Sequence, residues 1–171
     1  MLQTLSVHSS DYDLILIDHS SGIHDSVTPL VAASAVNIVV VVPELTSISD
    51  SYGMFKQLIP DTSRTQCCLL INRVKDKGEA EHVRNKFCAL SEQFLGRVPD
   101  CIGHVRNDDQ VRISVARQRP VAALSPEPGA AEDMSDIARK LLSGLKIGRH
   151  SSAQTIDTTI NIGTQLADIR E

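Results

Sequence analysis

Three short, unbroken apolar runs constrain this chain more than anything else in its 171 residues. Asp13 to Asp18 reads Asp-Leu-Ile-Leu-Ile-Asp, Asn37 to Val42 reads Asn-Ile-Val-Val-Val-Val before Pro43, and Cys67 to Asn72 reads Cys-Cys-Leu-Leu-Ile-Asn. None alternates between apolar and polar. A strand with one wet face would alternate, so these runs predict strands covered on both faces, as in a parallel sheet under helices. The β-branched content of the second run argues against a helix there. Cys101 to Val105 is a shorter fourth candidate.

Helical periods fall between the runs. Ser47-Ile48-Ser49-Asp50 offers an N-cap hydroxyl with an acid three residues on, predicting a helix from Ser47 to about Leu58, before Pro60. Glu79 to Leu95 sets Val83, Phe87, Leu90 and Phe94 on one stripe. Asp109 to Gln118 predicts a short helix, and Met134, Ile137, Ala138, Leu141, Leu142 and Leu145 mark another. Strands alternating with helices give right-handed βαβ units and an α/β fold, with the ligand site at the carboxyl ends of the strands.

The composition supports this and excludes other classes. Aromatics are 3% of the chain with no Trp, so the core is built from aliphatic side chains. A net charge of −4 carries no electrostatic footprint for nucleic acid. Cys67, Cys68, Cys88 and Cys101 match neither a zinc spacing nor a disulfide framework and read as reduced core thiols. The N-terminus has no signal pattern and no apolar run is long enough to cross a bilayer, which points to the cytoplasm. Residues 1–148 are expected to form the folded unit, and residues 149–171, rich in Ser, Thr, Asn, Gln and Asp, a flexible polar tail.

The candidate chemistry lies in Asp11 to Ser26, where a buried strand delivers Asp18 to a turn containing Gly22 and then to a helix. An acid at a strand end can orient a metal-bound water, and only glycine lets the backbone come closest to an anion. Taken in isolation, Asp18 reads more readily as a strand-end acid capping the next helix. His19, His24, Asp18 and Asp25 fit no zinc signature, and Ser20 or Ser21 with His19, His24 and Asp25 has no nucleophile elbow, so neither a metal cluster nor a triad is favoured.

Asp18 and Gly22 stand where MinD/ParA-type P-loop ATPases place a magnesium-shell acid and a switch glycine, and the chain resembles that family from residue 11 to 145. Pro43-Glu44-Leu45-Thr46-Ser47 with Asp50 and Tyr52 is similar to a stretch in its flagellar-number regulator branch. Asn72 resembles the position whose amide meets the adenine base, and Ile102 to Pro120 the stretch that closes over it. The chain departs from the family with His19-Ser20-Ser21 in the turn and with Arg106 where Pro is common. The resemblance implies an ATP- and magnesium-dependent regulator of flagellar gene expression and assembly that dimerises and acts on protein partners.

It also implies a phosphate-binding loop, and no Gly-Lys-Ser or Gly-Lys-Thr occurs in the 171 residues. The expectation is an incomplete P-loop domain, truncated at its N-terminus, without autonomous ATPase activity. The alternative is a nucleotide-independent interaction module. In the family the missing loop's strand lies between the strands ending at Asp18 and at Val42, so those two edges are expected to pair directly, to drive self-association, or to dock on an intact homologue. The C-terminal residues lack a basic amphipathic pattern, so no stable membrane binding is expected.

Overall fold

In the computed structural model, residues 11–19, 28–59, 65–124, 129–144 and 159–163 are described. They form one parallel five-stranded sheet in the order β1-β5-β2-β3-β4, where β1 is Ile15–His19, β2 Val36–Val41, β3 Gln66–Val74, β4 Asp100–Arg106 and β5 Thr159–Gly163. Helices α1 (Thr28–Ala33), α2 (Leu45–Leu58), α3 (Lys77–Leu95), α4 (Asp109–Ala116) and α5 (Ala130–Gly144) connect them, with a 3₁₀ turn at Val121–Ala123.

The apolar run of β2 has the predicted cause, whereas β1 is not covered on both faces: Leu16 and Asp18 are exposed. Every residue of β2 is buried, because the sheet there is covered on both faces. Val39, Val41, Leu69 and Ile71 pack with Val31 of α1, Phe55 and Leu58 of α2, and Val83 and Phe87 of α3. Val36, Ile38, Val40 and Cys68 face the opposite way, with Ile102 and Leu141 packed against them, and Val105, Ala130 and Ile137 continue that layer. The Phe55 and Phe87 rings meet in a tilted pair with centroids 5.9 Å apart.

Local chemistry sets the helix ends. Asp76 caps α3 by accepting from the Glu79 N–H at 2.8 Å, and the Glu79 carboxylate accepts from the Lys75 N–H at 2.8 Å. The helix stops at Gly96 in the left-handed region, φ 62°. Asp108 serves two helices, accepting from the Gln110 N–H at 2.8 Å and from the Ala130 N–H at 3.0 Å. At β4 the helix and sheet come unusually close, since a Cβ on Gly103 would stand 2.9 Å from Ile137 Cγ1.

Some expectations need correcting. α2 begins at Leu45, not Ser47, and the Ser47 hydroxyl accepts from the Val42 N–H at 3.0 Å, tying strand exit to helix instead of capping. Phe94 is exposed, because the buried stripe of α3 runs Ala80, Val83, Phe87, Ser91 and drifts off Phe94. Met134 and Leu142 also lie outside the buried face of α5. Asn72 does not end β3, which continues to Val74 through an irregularity. The polar stretch after residue 148 supplies β5, so residues 159–163 are part of the sheet. β1 and β2 consequently do not pair with each other; each pairs with β5.

Candidate functional site

The carboxyl ends of the strands carry the residues singled out from sequence. Asp18 is the penultimate residue of β1, exposed, in register with Ile162 of β5. Its neighbour His19 has Nε2 buried without a hydrogen-bond partner; burial lowers the imidazole pKa and the adjacent Asp18 charge partly restores it. Gly22 lies outside the described residues, as do Ser20, Ser21, His24 and Asp25.

Asn72 sits where β3 slips against β4. Its Oδ1 accepts from the Arg73 N–H at 2.9 Å, and Arg73 is held at φ 58°. That bond takes one lone pair of Oδ1, and the amide nitrogen is a donor with which Asn72 could address a ligand. Register follows Asp18 through Ile162 and Ile38 to Cys68, four residues short of Asn72. The two therefore stand roughly 14 Å apart across the strands and roughly 13 Å apart along them. They could bracket an elongated ligand lying over the ends of β5 and β2, but they do not touch a single small one.

Arg106, at the departure from the resembled pattern, joins β4 to the start of α5. It donates from Nε to Asp133 Oδ2 and from Nη2 to Asp133 Oδ1, both at 2.8 Å, and from Nη2 to Glu132 and to the Gly129 carbonyl at 3.2 Å. Its backbone N–H also donates to Asp133 Oδ2 at 2.9 Å. Burial pushes the Asp133 carboxyl up, but these bonds outweigh it and hold the pKa below the usual value; hydrogen bonding to Asp133 raises that of Arg106. The guanidinium is thus committed to the scaffold.

The thiols are similarly disengaged. All four cysteines are free; burial pushes Cys67 up to about 12 and Cys68 up to about 11, so neither is a thiolate near neutrality. Cys68 is buried, whereas Cys67, Cys88 and Cys101 are half-buried rather than core residues.

As for the implied cofactor, a magnesium ion keeps several waters and can be held through one carboxylate, a role Asp18 fits by exposure and position. Among the described residues no cluster of three metal-ligating side chains occurs. A triphosphate needs a nest of amide and ammonium donors. The donor set fits a hydrated cation better than that anion, because the 171 residues contain no Gly-Lys-Ser or Gly-Lys-Thr.

The residue that sequence reading passed over is Asn37, read only as the start of an apolar run. It is 3% exposed, its Nδ2 donates to the Val31 carbonyl at 3.2 Å, and its Oδ1 is buried without a partner. A polar residue opening a run of valines was the available signal.

Comparison with known proteins sharpens the picture. Over 141 residues, 82% of the chain, it is 30% identical to the antiactivator FleN of Pseudomonas aeruginosa. A chain of the MinC:MinD cell division protein complex of Aquifex aeolicus superposes with a TM-score of 0.61 at 22% identity, covering 90% of this chain and 60% of that one. The chain is a relative of FleN on a MinD-type fold. The MinD cell division protein of Aquifex aeolicus gives a TM-score of 0.54 at 22% identity, covering 76% of this chain and 52% of that one. No family model matches this FleN relative. It spans about half the length of FleN, since the match covers 50% of that protein. These likenesses show the MinD-type α/β fold and a similarity to FleN over most of the chain.

Proposed function

We propose that this FleN relative works as a regulator through contacts with protein partners, and that it does not turn over ATP unaided. The likeness to an antiactivator across 82% of the chain carries the reading, together with a sequence that has no Gly-Lys-Ser or Gly-Lys-Thr. In this reading the partner is a flagellar transcriptional regulator or assembly component in the cytoplasm. The chain acts as a homo-oligomer or docked on an intact homologue. Nucleic acid is not a partner, in keeping with the net charge of −4. No described helix is long and apolar enough to cross a membrane, and stable membrane binding is not part of the proposal.

Asp18 is the residual magnesium position, Gly22 the residual phosphate position and Asn72 the residual base contact. When bound, magnesium would neutralise phosphate charge; the chain's own residues would hold its water shell at Asp18 and orient a base through the Asn72 amide. Titration calorimetry with magnesium-ATP tests the reading. Absent or millimolar binding, with capture of a flagellar regulator retained, is the expected result. Submicromolar binding that is lost in Asp18→Asn, accompanied by ATP turnover, would replace it with a working nucleotide switch.

A further inference from the structure

The sheet ends in two edge strands, β1 and β4, and only one of them is guarded. β4 is broken twice in its register with β3, and Ile102, the extra residue at the first break, gives its carbonyl to Lys140 Nζ at 3.3 Å. The strand begins and ends on the charged residues Asp100 and Arg106, and α5 packs against it. Bulges, a lysine and charges are the usual means by which an edge is kept from pairing with another chain.

β1 is built differently. It runs in unbroken register against β5 from Ile15 to His19, and it carries no charge before Asp18. Among the described residues no strand pairs with its other side. Leu16 is 59% exposed, and Tyr12, just before the strand, is exposed as well. A regular, apolar, unpaired edge is a template for one more strand.

We propose that the free edge of β1 is the docking surface for the same edge of a second copy of this chain, the two strands pairing antiparallel about Leu16. The charges of the segment choose the occupant and its direction. Paired parallel and in register, two copies would set Asp13 against Asp13 and Asp18 against Asp18, and like charges directly opposite are destabilising. Paired antiparallel about Leu16, they set Leu16 against Leu16, Ile15 against Ile17, Leu14 against Asp18 and Asp13 against His19. The two Asp18 carboxylates then stand roughly 13 Å apart along the strands. The edge is thus complementary to itself in one direction, the condition for a two-fold contact in which both copies use the same surface. A single strand of five residues buries less than a permanent interface needs, so this dimer is a weak one that assembles with concentration.

The proposal rests on the homo-oligomeric form of the reading above, and the experiment scores the two apart. Sedimentation velocity of the full chain over a concentration series should show a concentration-dependent dimer. Leu16→Lys sets like charges opposite each other at the two-fold and should weaken that dimer about tenfold or more, whereas Leu142→Lys, at another exposed leucine, should leave it unchanged. In a second measurement, Leu16→Cys copies treated with oxidised glutathione should yield the peptide spanning position 16 joined to itself by a disulfide, detected by mass spectrometry. Leu142→Cys copies should not join through position 142. A chain that stays monomeric across the series overturns both the proposal and the homo-oligomeric form of the reading. A dimer indifferent to Leu16→Lys, or Leu16→Cys copies that do not join through that position, overturns the β1 edge alone.

Discussion

The two sides of the sheet are built to different standards. From β2 to β4 the strands are long, packed from both faces and anchored by Phe55, Phe87, Leu69 and Ile71. On the other side β1 has five residues, with Leu16 59% exposed and Tyr12 just before it exposed as well. One half holds the packed core, and the other carries the acid. Segments that open locally are generally drawn from the less buried part of a fold, which is where Asp18 lies.

The largest effect should come from cutting into the well-packed half. Phe87 is fully buried, so Phe87→Ala should cost about 3–5 kcal/mol in chemical denaturation, whereas Leu16→Ala should stay within about 0.5 kcal/mol. Similar losses for both would erase the contrast. Next, Gly103→Ala should destabilise by about 1–3 kcal/mol, because the new methyl meets Ile137, and trimming Ile137→Val in the same chain should recover part of the loss. Strict additivity of the two would show that the close approach is not the cause.

A smaller effect belongs to the clasp at Arg106. Asp133 has a folded pKa below its unfolded value, so its contribution is complete above the ordinary aspartate range and fades as pH falls through the depressed folded value. Asp133→Asn should therefore lower Tm by a constant amount from neutrality down to about pH 4, with the gap to the native chain closing only in stronger acid. A gap that opened between pH 6 and 8 would point to a different group. Least affected should be the thiols: at pH 8 Cys67 and Cys68 should react with a soluble disulfide reagent far more slowly than a free thiol, and mass spectrometry of the labelled chain would detect the reverse.

How much of the site could be read in advance follows from where its signals are local. Asp18 was legible because a charge ending an apolar run marks a strand terminus whatever surrounds it. Asn72 was only half legible: its place near the end of β3 was visible, but the two further residues of strand and the bond from the Arg73 N–H depend on how β4 slips against it. Arg106 was legible as a departure and not as a solution, since Asp133 and Glu132 lie on a helix whose approach is set by packing around Gly103.

By itself, the order of amino acids determined the strand–helix alternation and the double-sided burial of the central strands, because apolar periodicity acts over a few residues. Only the tertiary structure decided the use of Thr159–Gly163. Read alone, Thr-Ile-Asn-Ile-Gly is a short polar stretch with nothing to hold it; between β1 and β2 it gains two ladders of backbone hydrogen bonds. Those ladders come from edges far away in the chain, and no local pattern can announce them.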